Sequence, residues 1–161
     1  MSTDANSTNL KPASLACAKQ VVETVPMIMR LIRSDVRSQG ARTSLPQLRV
    51  LGLLSRQPGA SVSDVGAHLD VTTPTASALV DRMVKKHLIL RKEDPSERRR
   101  VVLTLTAEGK ELLENSRART QSLVAHLLAC ETPEQLNKIS EGLALLANAA
   151  QSFQNNKNHK A

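Results

Sequence analysis

The sequence predicts a mainly helical fold that contains one small β-hairpin. Most of the chain carries apolar residues at helical spacing, and two of the segments begin with capping-box sequences. The pattern changes at residues 91–109, where turn residues separate two short β-prone runs and three arginines lie beside the turn. A helical segment at residues 73–86 directly precedes this hairpin. A helix followed by a basic hairpin is the layout of a winged helix-turn-helix, a module that binds duplex DNA.

The first predicted helix carries an apolar seam whose members recur at alternating spacings of three and four residues. The seam comprises residues 15, 18, 22, 25, 29, 32 and 36. Such a seam packs either on the chain's own core or on a second subunit. Pro26 lies within it and predicts a kink or the start of a helix, because proline leaves the carbonyl of Val22 without a helical partner.

Three short helices are predicted in the middle of the chain. The first begins at a capping box, S-L-P-Q at residues 44–47, and the second begins at residues 61–64. The third begins at Thr73, which is predicted to be the N-cap, with Pro74 as the first helical residue. Because only residues 70–72 separate the second helix from the third, the pair fits a helix-turn-helix.

The third of these helices has an apolar face and a polar face. Its predicted core residues, which recur at i, i+3, i+4 and i+7, are Ala76, Leu79, Val80 and Met83. On the other face, small hydroxyl side chains suit base edges in the major groove, and cations suit phosphates. The predicted DNA-binding residues of this helix are Thr73, Thr75, Ser77, Arg82 and Lys85. Capping is the main role predicted for Thr73 itself.

The tip of the hairpin is strongly basic. The turn formers D-P-S at residues 94–96 place the arginines at the tip or at the start of the return strand, away from any core. These predicted DNA-binding arginines are Arg98, Arg99 and Arg100. The apolar residues of the return strand that are predicted to face the core are Val101, Leu103 and Leu105. An ordinary solvated turn is the alternative interpretation of the same charges.

Two longer helices are predicted after the hairpin. The first begins at residues 106–108 and runs to about Cys130, and the second begins at a capping box, T-P-E-Q at residues 132–135. Both ends of the chain are polar and lack apolar periodicity. The predicted order is a disordered tail at residues 1–12, a single domain at residues 13–153 and a second disordered tail at residues 154–161.

Positive charge is concentrated in the middle of the chain. The 161 residues have a net charge of +7, with eleven Lys and Arg against six Asp and Glu in residues 41–106, but four against six in residues 107–153. This asymmetry predicts a nucleic-acid-binding surface in the middle segment. With one Phe and no Trp or Tyr, the chain lacks the aromatic side chains on which single-stranded nucleic acids stack. Duplex DNA is therefore the predicted partner.

Membrane, secreted and catalytic classes are disfavoured. The N-terminal segment lacks the apolar core of a signal peptide, no apolar run approaches membrane-spanning length, and the two cysteines are far apart. These features predict a cytoplasmic protein. The sequence contains no catalytic triad, phosphate-binding loop or nucleotide-binding fingerprint, so we expect no enzymatic activity and no cofactor.

Residues 45–109 closely resemble the MarR family of bacterial transcription regulators, and the flanking helices resemble it in pattern. The most specific motif is D-P-x-[D/E]-x-R followed by V-x-L-T-x-x-G. It is matched here by Asp94, Pro95, Glu97, Arg99, Val101 or Val102, Leu105, Thr106 and Gly109. One departure is His87, where the family usually has Gly. Because the site favours a left-handed backbone, we expect either mild strain at His87 or a different helix cap.

The resemblance implies a homodimer that binds a pseudo-palindromic operator. The implied dimerisation helices are residues 13–40 and 107–153, and the implied DNA-binding module is residues 41–106. Arg99 would enter the minor groove, braced by Asp94 or Glu97, since narrow minor grooves concentrate negative potential. A small anionic or phenolic ligand would bind in a crevice between the dimer helices and the DNA-binding module. We therefore predict a ligand-responsive repressor.

Three alternatives stay open from the residues themselves. Cys17, near the start of the first helix, and Cys130 are candidate redox thiols, although a small apolar filler is the commoner role of a cysteine such as Cys17. His126 and Cys130 would share a helix face, but two ligands do not make a closed metal site, and we predict no metal. The third alternative is a basic architectural protein that coats DNA without sequence preference.

Overall fold

The structure, a computed structural model, describes residues 11–38, 43–93 and 101–158. The chain divides into two compact units, Met1–Thr120 and Gln121–Ala161. The elements in chain order are α1 (Pro12–Ser38), α2 (Leu45–Arg56), α3 (Val62–Leu69), α4 (Thr73–Lys85), β1 (Ile89–Glu93), β2 (Val101–Leu105), α5 (Ala107–Leu127) and α6 (Pro133–Asn158). The predicted fold class, mainly helical with one two-stranded antiparallel sheet, is confirmed. None of the described helices is long and apolar enough to span a membrane.

The hydrophobic core of the first unit lies among α2, α3, α4, the two strands and the N-terminal part of α5, which contributes Leu113. Its largest fully buried side chains are Leu51, Leu54, Met83, Ile89, Leu103, Val50, Val65 and Val80. Burying one such aliphatic side chain contributes about 1.5–3 kcal/mol relative to leaving it exposed. The prediction for the core face of α4 is confirmed. Its buried residues are Ala76, Leu79, Val80 and Met83.

The capping sequences at the starts of α2 and α3 both form capping boxes. In α2, the Gln47 side chain accepts a hydrogen bond from the Ser44 backbone N–H at 2.9 Å. In α3, the Asp64 carboxylate accepts one from the Ser61 backbone N–H at 2.7 Å. At both sites the serine hydroxyl accepts a reciprocal bond from the third helical N–H. Since each cap contributes about 1 kcal/mol, these boxes explain where the two helices begin.

The start of α4 differs from the prediction by one residue. Thr72, not Thr73, is the N-cap: its backbone is extended (φ −65°, ψ 152°) and its carbonyl accepts from the Ala76 N–H at 3.0 Å. Thr73 is the first helical residue and Pro74 the second, and both positions tolerate proline because neither N–H has a partner within the helix. The Thr72 hydroxyl lies 3.0 Å from the hydroxyl of Thr75 and makes no capping bond to the backbone.

β1 and β2 pair antiparallel, with Arg91 opposite Leu103. The loop that follows α2 joins this sheet. The Gly59 N–H donates to the Leu103 carbonyl, and the Leu103 N–H donates to the Ala60 carbonyl, each at 3.0 Å. The outer edge of β2 is therefore hydrogen-bonded to the chain, which protects it from pairing with another strand.

Burial along β2 does not follow the predicted alternation. Val102 and Leu103 are both buried, whereas Val101 is 45% exposed and Leu105 is partly buried. Successive strand residues point to opposite faces, so two consecutive buried residues mean that both faces of β2 are covered there. The prediction that Val101, Leu103 and Leu105 face the core is therefore correct for Leu103, partly correct for Leu105 and wrong for Val101.

α1 is one continuous helix that passes through Pro26, so this proline does not mark a helix start. None of the residues of α1 is buried, although the helix carries the predicted apolar seam. Val22 is 71% exposed and Leu15 is 55% exposed, while the seam becomes half-buried towards the end of the helix. A single chain therefore leaves much of this seam open to solvent.

The second unit contains the end of α5 and all of α6. α6 begins at the predicted capping box, in which the Gln135 side chain accepts from the Thr132 N–H at 2.8 Å. α5 ends at Leu127. The Leu128 N–H still donates to the Val124 carbonyl, but the Ala129 and Glu131 N–H groups donate only three residues back, to His126 and Leu128. Cys130 therefore lies in a turn and does not share a helix face with His126. α6 continues to Asn158, into the segment predicted to be a tail, and none of its described side chains is buried.

Candidate nucleic-acid interface

The outward face of α4 carries five of the predicted DNA-contact residues. Thr73, Thr75, Arg82 and Lys85 are exposed, and Ser77 is half-buried. None of these side chains is part of the hydrophobic core, because the buried residues of α4 lie on the opposite face. All five therefore remain predicted contact residues.

A cleft of about 230 Å³ opens beside the N-terminal half of α4. It is bordered by Arg49 from α2 and Arg82 from α4, together with apolar side chains. Its lining residues are Ser44, Pro46, Arg49, Leu69, Val71, Thr75, Leu79 and Arg82. Because the planar guanidinium group matches the geometry of phosphate oxygens, the cleft places two suitable cations beside the helix that carries the hydroxyl groups.

Arg49 is a candidate that the sequence analysis missed. Its Nη2 atom donates to the backbone carbonyl of His68 at 2.6 Å, which ties α2 to the end of α3. This bond uses one of the five N–H groups that a guanidinium offers, and the residue stays exposed. Its position opposite the apolar face of α2 was visible in the sequence, but the contact with α3 was not.

His68 adds little positive charge to this surface. Burial lowers its pKa, and the positive charges of Arg49 and Arg56 lower the pKa further. The neutral imidazole is therefore favoured near neutral pH. The positive potential here comes from arginines, which stay protonated, so attraction for phosphate should change little with pH around neutrality.

An ion pair links α4 to β1. The Nη2 atom of Arg91 lies 2.7 Å from the Oδ1 atom of Asp81, and the two side chains are 39% and 48% exposed. An exposed pair of this kind contributes only about 0–1 kcal/mol to stability. Asp81 is the one acidic residue in the sequence of α4. The cation beside it reduces the repulsion that its carboxylate would exert on DNA phosphates.

The backbone of His87, just beyond α4, is left-handed with φ 56°, as the resemblance implied. The His87 N–H donates to the Val84 carbonyl at 2.9 Å, and the Leu88 N–H donates to the Met83 carbonyl at 3.0 Å. This pair of bonds is a Schellman motif, in which the left-handed residue is usually glycine. The strain expected at His87 is therefore present in the backbone, and the ordinary helix-ending geometry is kept.

The predicted hairpin tip lies outside the described residues. This applies to the predicted DNA-binding residues Arg98, Arg99 and Arg100, and to the predicted bracing residues Asp94 and Glu97. The described part of the sheet reaches the pair formed by Glu93 and Val101. The roles of the five tip residues stay predictions.

Both cysteines are free and exposed, Cys17 on α1 and Cys130 in the turn after α5. The interpretation of Cys17 as a buried apolar filler is therefore wrong for the single chain. Within residues 11–38, 43–93 and 101–158, no three His, Cys, Asp or Glu side chains lie close enough to hold a metal ion. His126, which was considered with Cys130 as a candidate metal ligand, has its Nδ1 atom 2.8 Å from the Ser122 carbonyl oxygen.

Residues 43–100 match the MarR family. Over 106 residues the chain is 30% identical to the HTH-type transcriptional repressor MdtR of Bacillus subtilis, and the match covers 66% of this chain and 68% of the relative. The chain belongs to the MarR family. A MarR family protein from Bacillus stearothermophilus shares its fold with a TM-score of 0.75 at 17% identity, over 89% of this chain and 99% of that one. Streptococcus pneumoniae FabT, solved in complex with DNA, shares the fold with a TM-score of 0.65 at 20% identity, over 84% of this chain and 99% of that one.

Proposed function

We propose that this MarR-family protein is a cytoplasmic transcriptional repressor that binds a specific duplex DNA sequence as a homodimer. The observation that supports this proposal most strongly is that α4 has two distinct faces. Its core residues are buried, while Thr75, Arg82 and Lys85 lie exposed on the other side. A helix presented in this way can enter a major groove. The name of MdtR as a repressor and the DNA bound to FabT support the same role here. The proposal assigns no catalytic reaction and no cofactor.

The contacts divide into base readout and phosphate binding. The hydroxyls of Thr75 and Ser77 reach base edges, and Thr73 contributes mainly through the helix N-terminus. The phosphate-binding cations of the module are Arg49, Arg82 and Lys85. In the hairpin tip, Arg98 and Arg100 add positive charge, while Arg99 enters the minor groove and is braced by Asp94 or Glu97.

The homodimer is supported by apolar side chains of α1 and α6 that are largely exposed to solvent. Val22 on α1 and Leu145 on α6 are each 71% exposed, and Phe153 is 63% exposed. Large exposed apolar surfaces of this kind mark interaction sites, because leaving them in water forfeits the main driving force of folding. A second copy of the chain is the proposed cover, since a two-fold dimer matches a pseudo-palindromic operator.

A small anionic or phenolic ligand is the proposed signal. A ligand that binds more tightly to a dimer whose DNA-binding modules are wrongly spaced shifts the population away from the DNA-binding form. Because the two modules bind as one unit, a modest preference at each site is enough to release the operator.

Titration separates this function from an architectural role. Full-length protein is titrated against a pseudo-palindrome recovered by binding-site selection and against random duplex at several salt concentrations. We expect the selected site to bind more tightly by about 10³-fold or more at physiological salt, with both affinities falling as salt rises. Equal affinity for the two duplexes at every salt concentration would instead establish a non-specific architectural protein.

Thiol-based redox sensing is a second candidate, favoured by the exposure of Cys17 and Cys130. A gel-shift assay with peroxide compares the parent protein with the double variant Cys17→Ser, Cys130→Ser. The repressor proposal expects both proteins to stay on the operator. If the parent leaves DNA on oxidation while the double variant stays bound, the thiols are the switch.

A further inference from the structure

Thr106 joins the start of α5 to the turn that follows α4. Its hydroxyl donates to the His87 carbonyl at 2.6 Å and accepts from the Gly109 N–H at 2.9 Å. Its own backbone N–H donates to the Leu88 carbonyl at 3.2 Å. The hydroxyl of Thr106 therefore donates a hydrogen bond to the turn after α4 and accepts one from the first turn of α5.

Gly109 makes this approach possible. A Cβ atom built at residue 109 would overlap the carbonyl oxygen of Leu88 and also crowd its backbone carbon. Any other residue would force the first turn of α5 away from the turn after α4. Thr106 and Gly109 are also the two final members of the sequence motif, and neither is used by the proposed DNA contacts.

Helix capping alone accounts for only part of this arrangement. An N-cap threonine needs its hydroxyl only as an acceptor for a backbone N–H of the first turn. Thr132, which caps α6, does this by accepting from the Gln135 N–H at 3.3 Å, and its described bonds stay within that turn. At Thr106 the donated bond to His87 spans a sequence separation of 19 residues and reaches the turn that follows α4.

We propose that Thr106 and Gly109 are positioning residues that fix the direction of α4 relative to the start of α5, and that operator recognition depends on them. We call these two residues, with the His87 and Leu88 carbonyls, the α4–α5 clasp. This inference rests on the proposed function. A two-fold operator requires two recognition helices at a set spacing and angle, about one helical turn of DNA apart. Binding to random DNA depends mainly on charge and tolerates a change of angle.

The variant Thr106→Asp tests the hydrogen bond to the His87 carbonyl separately from helix capping. Aspartate is as good an N-cap as threonine, so it still accepts from the Gly109 N–H, but its carboxylate cannot donate to the His87 carbonyl. Thr132→Asp is the matched control, because it makes the same change of charge and side chain at the cap of α6. Thr106→Ser keeps both hydrogen bonds, and Thr106→Val removes both the donated and the accepted hydrogen bond of the hydroxyl without adding charge.

The affinities of the full-length variants for the selected pseudo-palindrome, for a single half-site and for random duplex are measured side by side. We expect the ratio of pseudo-palindrome affinity to random-duplex affinity to fall about five- to tenfold in Thr106→Asp and Thr106→Val. The ratio of half-site affinity to random-duplex affinity should keep its wild-type value. Thr106→Ser and Thr132→Asp should keep the wild-type ratio. Retained half-site binding shows that the variant modules are folded.

Two results would overturn the clasp. One is a wild-type ratio of pseudo-palindrome to random affinity in both Thr106→Asp and Thr106→Val. The other is an equal loss of that ratio in Thr132→Asp, which would reduce Thr106 to an ordinary cap. A wild-type protein without any preference for the pseudo-palindrome would refute the proposed function itself, which is a different outcome from either of these.

Discussion

Gly109 of α5 lies against the backbone carbonyl of Leu88, so close that no side chain fits between them. The contact joins the first turn of α5 to the turn that follows α4. Gly109 is required here for space and not for an unusual backbone angle, since its neighbours from Ala107 onwards are regular helix. Glycine at this position is therefore explained by a contact with a residue far away in sequence.

Gly109→Ala should lower the free energy of unfolding by about 1–3 kcal/mol, because the atom that blocks the new methyl group belongs to the backbone and cannot rotate away. Urea unfolding followed by circular dichroism measures the change. Gly52→Ala in α2 is the control. Its new Cβ would meet the flexible end of Arg56 at 3.6 Å, and helix propensity should stabilise it by about 0.5–1 kcal/mol. Similar effects in both variants would contradict the close approach at Leu88.

His87→Gly should stabilise the protein by up to about 1 kcal/mol, because glycine adopts the left-handed backbone of residue 87 without the clash of a Cβ atom. The bonds of the Schellman motif and of the clasp use only the backbone of His87, so they are kept. Lys85→Gly, in the regular last turn of α4, should instead destabilise by about 1 kcal/mol. A lower melting temperature for His87→Gly would show that the imidazole makes a contact worth more than the strain.

Substituting the cations of the interface and substituting its hydroxyl residues should change DNA affinity in different ways. Arg49→Gln and Arg99→Ala should each weaken binding to operator and random duplex alike and lower the salt slope by about one unit, since each removes one phosphate-proximal cation. Thr75→Ala or Ser77→Ala should weaken the operator selectively, by about 1–3 kcal/mol for a good base contact. Fluorescence anisotropy at several salt concentrations measures both effects.

Arg117→Gln on α5 provides the charge control, because it removes one cation from outside the cleft beside α4. It should leave the salt slope unchanged. The division of roles is refuted if the arginine and hydroxyl variants lose affinity equally on operator and random DNA.

Leu143→Glu on α6 should weaken the dimer, since Leu143 is 60% exposed in the single chain and belongs to the apolar series of that helix at residues 136, 139, 143 and 146. Desolvating a charge in an apolar interface is strongly unfavourable, so the dimer dissociation constant should rise by at least about tenfold. Gln151→Glu, on the same helix and also exposed, adds the same charge outside that series. Sedimentation velocity compares the two. A wild-type protein that sediments as a folded monomer at micromolar concentration would exclude the dimer.

Local signals in the sequence predicted the helices well. The capping pairs Ser44 with Gln47 and Thr132 with Gln135 are formed as expected, because capping depends only on residues within one turn. The buried face of α4 followed from its helical period. The left-handed turn at His87 followed from the family resemblance, although the residue itself is not glycine.

Contacts between distant segments could not be predicted. Arg49 and His68, or Asp81 and Arg91, meet only when separate elements pack. The burial of Val102 was missed for the same reason, since the alternating pattern assumes that one face of a strand is open. The one-residue error at Thr72 arose because proline fits the first and second helical positions equally well.

The spacing of the operator's half-sites tests the central claim most directly. Inserting about five base pairs between the half-sites turns one of them to the opposite side of the DNA, because one helical turn is about 10–10.5 base pairs. If two recognition helices of one dimer bind the operator, affinity should fall towards that of a single half-site. A second insertion of the same length should not restore it, because the half-sites then face the same side of the DNA but lie one helical turn further apart than the set spacing of the two helices. Unchanged affinity after the first insertion would contradict the account of a sequence-specific homodimer.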